Sequence, residues 1–493
     1  MRTAAVAFIS AALLALLATP LVRDAALRLG LVDHGLSSRK VHGRPVPRLG
    51  GIAIVLAFIA PLVALHFVSS DVGRMFWATP VRAGALLAGG LIIAALGVYD
   101  DLRGSGARTK FAVQFGVAAF MYWAGFRIEQ LSQPFGPPIQ LGHLALPVTM
   151  LWIAGVINAM NLIDGLDGLA GGVALIAVAT PFTLAAVQHQ PLMLLFTAAL
   201  GGAVLGFLRY NFNPATIFMG DTGSMFLGFI LAATSIATSQ KSTAAVAIVV
   251  PILALGIPIS DTLLAMGRRA FRGAPLFSAD RGHIHHRLMD RGFSQRQAVL
   301  VIYVGAALFG AAALAVSFSN GPATALVLLV VAILAFLALR ALGFLDLNKA
   351  QAALVDRRLN LDMRTAVRRA GERLRAVSTP QAVWEVVRES APAFGASGVG
   401  LTLGRLAGRS DAGAWSQGLD DLPPRALRAR YGLVAERPGH DHLDLAWTDG
   451  RETVHRDVEI AVELLCDHVT SALDRIEGSL GEKPRDNVVK LKK

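Results

Sequence analysis

Uncharged runs of about twenty residues recur along the first two thirds of the chain, separated by short loops that hold Gly, Pro, Arg and Asp. A run of that length crosses a bilayer as a helix. Eleven such blocks fall at about residues 4–22, 50–69, 81–99, 111–126, 144–162, 169–187, 192–208, 224–239, 244–266, 298–318 and 323–342. The pattern predicts an all-α polytopic membrane protein with about eleven transmembrane helices. The first block also has marks of a cleaved signal peptide, since Arg2 precedes it and small residues surround Ala18. It is read as a retained span, because an odd count is what puts the polar motifs below on one face.

From about residue 348 charges come every few positions and no further block could span. The division expected is a transmembrane domain over 1–342, a connecting helix over 343–376, a soluble α+β domain over 377–480 and a basic tail over 481–493. Within the soluble part, 382–394 reads as helix, 398–403 and 443–447 as strands, and 458–476 as a long amphipathic closing helix. That order is weakly similar to a GAF-like sensory domain, and Trp384, Trp415 and Trp447 read as core residues.

Composition supports the membrane reading: 54% of the 493 residues are hydrophobic and 16% charged, against about 25% charged in a soluble protein. The net charge of +12 would ordinarily raise nucleic acid as a partner. Its distribution removes that class, because residues 1–342 hold 23 Lys and Arg against 12 Asp and Glu, while the remainder holds 23 against 22. With the N-terminus outside, seventeen of the membrane-part cations fall in inside loops and five outside, the bias of the positive-inside rule. The C-terminal domain is then expected on the cytoplasmic side. The single cysteine, Cys466, excludes an intramolecular disulfide and reads as a buried helix residue.

Acids near hydrocarbon are costly and mark functional sites by default. Asp100 and Asp101 end the third block, Asp164 and Asp167 follow the fifth in Asn158-Ala-Met-Asn-Leu-Ile-Asp-Gly-Leu-Asp-Gly168, and Asp221 precedes the eighth in Met219-Gly-Asp-Thr-Gly223. All five fall on the predicted cytoplasmic face. A single one could simply cap a helix. Five converging carboxylates repel unless a cation neutralises them, and Mg²⁺, which takes one or two carboxylates with phosphate oxygens and water, suits them; Mn²⁺ is an alternative. Asn158, Asn161, Asp164 and Asp167 recur every three residues and cannot share one narrow helix stripe, so the helix is expected to end near Asp164. The last inside loop carries Asp280-Arg-Gly-His-Ile-His-His-Arg287. Its histidines could ligate zinc, form a surface cluster, or join Arg281 and Arg287 in contacting phosphate and sugar.

With Lys40-Val-His-Gly-Arg-Pro-Val-Pro-Arg48, these motifs make residues 1 to about 342 similar to the polyprenyl-phosphate N-acetylhexosamine-1-phosphate transferase family. That family includes enzymes that start O-antigen and teichoic acid glycans and the phospho-MurNAc-pentapeptide translocase. The His-Ile-His-His form resembles the UDP-GlcNAc branch. The resemblance implies Mg²⁺-dependent transfer of HexNAc-1-phosphate, chiefly GlcNAc-1-phosphate, from a UDP-sugar to undecaprenyl phosphate, with UMP released. This would be the first membrane step of a cell-envelope polysaccharide. It implies Asp221 as metal ligand, and Asp100 and Asp101 as the pair that binds metal and positions the lipid phosphate. Lys110 is implied near the phosphates, and Asn158, Asn161, Asp164, Asp167 and Asn211 around the nucleotide. Phe218 is implied on the uracil, although it also reads as an interfacial aromatic. His283, His285, His286 and Arg281 are implied over the sugar diphosphate. Lys40 and Arg44 hold the lipid phosphate or merely set topology.

A cation-coupled transporter is the competing class, disfavoured because the chain shows no internal repeat and its acids cluster at one face. A sensor anchored by an inactive membrane part is a third reading. The identity of the UDP-sugar, the ligand of the C-terminal domain and a homodimeric state are left open.

Overall fold

The computed structural model describes residues 1–33, 46–67, 80–131, 139–239, 248–271, 282–319, 321–344, 347–404, 413–433 and 441–481. By internal packing the chain divides into two compact units: Met1–Gly267 with Ala279–Asp346, and Leu347–Lys493 with Arg268–Ser278.

Among the described residues, each apolar block of the membrane unit contains helix. Its helices are α1 (Arg2–Arg28), α2 (Gly50–Phe67), α3 (Pro80–Arg103), α4 (Ala107–Trp123), α5 (Ala145–Ile163), α6 (Leu169–Val187), α7 (Pro191–Asn211) and α8 (Gly220–Ser239). They continue as α9 (Val249–Ala254), α10 (Gly256–Phe271), α11 (Ile284–Met289), α12 (Gln295–Phe318) and α13 (Gly321–Ala341). Among the described residues eight helices are long and apolar enough to cross a membrane: α1, α3, α5 to α8, α12 and α13. The chain is thus a multi-pass membrane protein. The ninth block differs from the single span expected, because it is divided at Leu255 into α9 and α10. Pro258, in the first turn of α10, has no N–H to continue the ladder of the preceding turn.

Burial ranks these helices. The membrane stretch of α8 is fully buried, while that of α13 is 6% buried and presents Leu326, Leu329 and Ile333 outward. Apolarity does not decide this, since an apolar helix such as α13 can face lipid; α8 is rich in Gly, Ala, Ser and Thr, which let neighbouring helices approach. A Cβ on Gly97 of α3 would lie 2.3 Å from Thr222 Cα, and one on Gly51 of α2 would lie 2.1 Å from Gly223 N. The first span is part of the bundle as well: Tyr210 Oη of α7 donates to Leu16 O at 3.1 Å.

The C-terminal unit contains α14 (Leu347–Leu374), α15 (Pro380–Ser390), β5 (Gly398–Leu403), β6 (Ala414–Gln417), β7 (Leu427–Gly432), β8 (Asp441–Trp447) and α16 (Arg456–Gly481). Four two-residue strands, β1 (Val32–Asp33), β2 (Val46–Pro47), β3 (Gln130–Leu131) and β4 (Ile139–Gln140), form two ribbons in the membrane unit. The larger sheet is antiparallel in the order β6-β5-β8-β7. Its central β8 is buried on both faces save Asp444, with Leu443, Leu445, Ala446 and Trp447 in the core and Asp441 and His442 buried beside them. β7 alternates half-buried and exposed positions. The expected helices and the strands at 398–403 and 443–447 are present. β6 and β7 went unpredicted, because β7 carries Arg428 and Arg430 on its exposed face. Trp447 is wholly buried with Nε1 donating to Phe394 O at 3.0 Å, and Trp384 is 6% exposed. Cys466 is buried, and burial pushes its thiol up to about 12. The basic tail lies outside the described residues.

Replacing Gly97 by Val places two methyls where α8 backbone already sits. Overpacking of this kind costs about 1–3 kcal/mol or more. Gly97→Val is expected to lower the thermal midpoint of the detergent-solubilised chain and its monodisperse yield, read by size-exclusion chromatography after a heating series. An unchanged midpoint would contradict the close α3–α8 approach.

Candidate active site

The last turn of α3 presents Asp100 and Asp101, which point about 100° apart around the helix and meet different partners. Asp100 Oδ1 accepts from the Ser105 N–H at 2.7 Å and from the Ser105 hydroxyl. Its Oδ2 accepts from Lys110 Nζ at 2.7 Å, and the same ammonium donates to Asp221 Oδ2 at 2.6 Å. Lys110 stands one turn into α4, so two helices and the start of α8 meet at one cation. The three side chains are 14–28% exposed.

Asp101 caps α8. Its Oδ1 accepts from the Asp221 N–H at 2.9 Å, and its Oδ2 accepts from the Thr222 N–H at 3.0 Å and the Thr222 hydroxyl at 2.7 Å. The start of a helix leaves N–H groups without intrahelical partners and carries partial positive charge, which a carboxylate answers. Gly220 makes room for this: its φ is +70°, and a Cβ there would lie 2.6 Å from Asp101 Oδ2. The capping role considered from sequence is therefore real for Asp101, although the helix capped is a distant one.

α5 ends at Ile163, where the polar spacing predicted, and 164–168 turn back before α6, with Gly168 in the left-handed region at φ 77°. Asn158 Nδ2 donates to Gln114 Oε1 at 2.6 Å, and Asn161 Nδ2 to Ser224 Oγ at 3.1 Å. Asp167 Oδ2 accepts from Asn213 Nδ2 and the Ala215 N–H. Tyr303 Oη of α12 donates to Gly168 O at 2.6 Å, anchoring the turn. Asn211 Nδ2 donates to Ile217 O at 3.0 Å. Phe218 is half-buried, and its backbone pairs with Pro47 O and the Gly50 N–H. Asp164 has no side-chain hydrogen bond or ion pair among the described residues. Burial, with the charges of Asp221, Asp101 and Asp167 nearby, pushes its carboxyl up to about 7.

The histidine motif joins this turn. A Cβ on Gly165 would lie 2.8 Å from His285 Cε1 and Nε2, so the imidazole rests on the turn. Burial and the neighbouring His286 and His283 push His285 down to about 3, leaving it neutral at ordinary pH despite Asp261. His283 Nδ1 is 2.7 Å from Asp261 Oδ2, and Asp261 Oδ1 accepts from the Ile284 N–H at 2.8 Å. One carboxylate of α10 thus fixes the first imidazole and caps α11. Arg287 Nη1 donates to Leu342 O at 2.9 Å, with its guanidinium 3.8 Å from the Phe344 ring centre.

The structure therefore gathers Asp100, Asp101, Lys110, Asp221, Asp164 and His285 with Asn158 and Asn161 at one end of the bundle. Lys40, Arg44 and Arg281 lie outside the described residues. Among the described residues no three acidic, thiol or imidazole groups stand arranged around one point as metal ligands. The donor set still suits a hard divalent ion: Asp100 and Asp221 offer carboxylate oxygens beside Asp164, an acid that its neighbours destabilise as an anion, and such an ion needs few protein ligands once phosphates and water supply the rest.

Motif reading passed over Asp261, 2% exposed and the acid that orders the histidines. It lies within the ninth apolar block, where a lone acid already signals function, but no glycine or second acid marks it. Gln114, Ser105 and Thr222 were missed because ordinary polar residues carry no signal of their own.

Residues 83–239 match the model of the family described as Glycosyl transferase family 4. The chain is 42% identical over 310 residues to a probable undecaprenyl-phosphate N-acetylglucosaminyl 1-phosphate transferase of Bacillus subtilis, covering 63% of this chain and 84% of that one. It is 38% identical over 336 residues to a decaprenyl-phosphate N-acetylglucosaminephosphotransferase of Mycolicibacterium smegmatis, covering 63% and 82%. To an undecaprenyl-phosphate alpha-N-acetylglucosaminyl 1-phosphate transferase of Salmonella typhi it is 29% identical over 306 residues, covering 61% and 80%.

The raised Asp164 has a measurable consequence. In the folded chain without a divalent ion its carboxyl keeps a proton to about pH 7, whereas unfolded it loses it near 4. The folded state therefore loses stability as pH rises through that window, by about 4 kcal/mol at most. Asp164→Asn is expected to raise the thermal midpoint at pH 8 in chelator and leave it unchanged at pH 4. Equal midpoints of the two proteins at pH 8 would refute the mutual burden of these acids.

Proposed function

The chain belongs to glycosyl transferase family 4, and on that premise we propose that it transfers GlcNAc-1-phosphate from UDP-GlcNAc to undecaprenyl phosphate. A lipid phosphate oxygen attacks the β-phosphorus, the bond to the UMP oxygen breaks, and lipid-diphosphate-GlcNAc and UMP result. The names of the relatives support the acceptor class and the sugar. Another UDP-HexNAc, or phospho-MurNAc-pentapeptide, would use the same chemistry. The observation that carries the proposal is the meeting of Asp100, Lys110 and Asp221 from separate helices beside the Asp164–Gly168 turn and His285.

Phosphoryl transfer is mostly positioning and charge neutralisation. We assign Asp221 and Asp100 as hard oxygen ligands for Mg²⁺, or Mn²⁺ in its place. When bound, that ion neutralises phosphate charge. Asp101 was also expected to bind metal; its hydrogen bonds to the first turn of α8 favour instead the role of holding Asp221 in place. Lys110 holds the two carboxylates in register and offers its charge to a phosphate. His285, being neutral, serves as a hydrogen-bonding group toward the sugar diphosphate, with His283 and His286 beside it. Asn158 and Asn161 line the nucleotide pocket. Asp167 and Asn211, both bonded to the Asn211–Ile217 segment, shape its wall, and Phe218 faces the uracil. Lys40, Arg44 and Arg281 contact phosphates. The active site and the C-terminal unit face the cytoplasm at the inner membrane, with the N-terminus outside. The C-terminal unit is a regulatory, GAF-like module.

Membranes containing the chain, given radiolabelled UDP-GlcNAc, undecaprenyl phosphate and Mg²⁺, are expected to yield lipid-linked label and equimolar UMP. Absence of both with every UDP-HexNAc would overturn the proposal. Asp221→Asn is expected to lower the rate by about 100-fold or more, as losing one charge-stabilising group does, and to raise the Mg²⁺ concentration needed; unchanged kinetics would remove its metal role.

Asp261→Asn keeps the shape but loses the charge that orients His283. A charge-assisted hydrogen bond is worth about 1.5–3 kcal/mol, so a fall of about 10- to 100-fold in kcat with little change in KM for UDP-GlcNAc is expected. A change confined to KM would contradict positioning through His283.

A further inference from the structure

The helix that carries His285 and His286 is too short to stand by itself. α11 has six residues, and helices below about 12 residues are marginal without support from outside. Two anchors supply that support. At the start of α11, Asp261 accepts from the Ile284 N–H and pairs with His283. Near its end, Leu288 is buried in the core and Arg287 reaches across to the end of α13. In the chain, His285 and His286 lie between the two anchors.

The end of α13 is shaped to receive that arginine. Gly343 takes the left-handed conformation at φ +68°. Its N–H donates to Arg340 O at 3.0 Å, and the Phe344 N–H donates to Leu339 O at 2.9 Å. This pair of bonds closes a helix on a glycine and fixes the residue that follows, here Phe344. The Leu342 carbonyl, left without an intrahelical donor at the negative end of α13, accepts from Arg287 Nη1 at 2.9 Å. The guanidinium carbon stands 3.8 Å from the centre of the Phe344 ring, inside the reach of about 6 Å for a cation over an aromatic face. A planar guanidinium can donate in its plane and stack on its face at once, which an ammonium cannot. Leu342 itself packs against the core of the membrane unit.

We propose that Arg287 is a positioning residue for the transferase site: it clamps the histidine helix to the exit turn of α13 and so holds His285 on the Asp164–Gly168 turn, where the imidazole rests against Gly165. From sequence, Arg287 was a candidate for contacting phosphate and sugar. The geometry instead commits one of its N–H groups and one of its faces to protein. The other jaw of the clamp, Leu342 to Phe344, belongs to no motif. Leu347 opens α14 three residues after Phe344, so the stretch that tethers the C-terminal unit also supports the histidine helix. The kinetic consequence rests on the proposed role of His285 in transfer; the clamp itself does not.

The full chain in detergent would be treated with diethyl pyrocarbonate and the modification of His285 followed by peptide mass spectrometry. His455, with 69% of its side chain exposed in the C-terminal unit, reports the reagent dose. Relative to His455, the rate at His285 is expected to rise about tenfold in Arg287→Ala, the effect of one charge-assisted hydrogen bond, and about threefold in Phe344→Ala, the effect of one cation–π contact. Phe344→Tyr keeps the ring face and should restore the wild-type rate. With UDP-GlcNAc, both alanine variants should lower kcat by similar factors and leave KM little changed, the mark of a group misplaced for the transition state. An Arg287 that bound donor phosphate would give another pattern, with KM raised in Arg287→Ala and no change of any kind in Phe344→Ala. That pattern, or His285 modified at the wild-type rate in both alanine variants, overturns the clamp. If the wild-type chain transfers no sugar phosphate, the proposed function falls and the modification rates still decide the clamp.

Discussion

One carboxylate joins the end of α3 to the start of α8, the most buried of the membrane-length helices among the described residues. Asp101, on the last turn of α3, accepts three hydrogen bonds from the first turn of α8. The two helices run antiparallel, so the electronegative end of one meets the electropositive end of the other, and an anion at that junction is favoured by the second. Gly97 allows the approach and Gly220 the turn. Once these are set, Asp221 has nowhere to stand except beside Lys110 and Asp100. The rest of the candidate site is arranged around that placement.

The charge around this junction is unevenly matched. Lys110 answers Asp100 and Asp221, and backbone amides answer Asp101. Asp164 receives nothing comparable, and its carboxyl is pushed up to about 7. On the other side of the turn His285 is driven the opposite way, to about 3. An acid that resists ionising next to an imidazole that resists protonation leaves a pocket poor in positive charge and short of negative tolerance. That is the electrostatic condition into which a phosphate and a divalent ion fit together better than either alone.

Sequence reasoning reached much of this by two routes. Block length located the helices, because hydrocarbon permits little else, and the cost of acids near lipid singled out Asp100, Asp101, Asp164, Asp167 and Asp221. It did not separate Asp100 from Asp101, since adjacent residues differ only in the direction a helix turn gives them. It expected one span over 244–266, where Pro258 and Gly256 interrupt the helix. Asp261 was legible by the same cost argument and was overshadowed by the motifs. In the soluble unit, buried β8 and amphipathic α16 were visible from their patterns, whereas β7 hid behind its arginines.

The contact between Gly97 and Thr222, like that between Gly51 and Gly223, is made by main chain against main chain. A frame of that kind is insensitive to the identity of the side chains that surround it. Leu326, Leu329 and Ile333, facing outward on α13, can exchange with any residue that lipid accepts, while a single methyl added at Gly51 or Gly97 meets backbone. Tolerance to substitution across this membrane unit should thus be steeply graded with depth: permissive at the rim, and unforgiving along the few positions where helices touch without side chains between them.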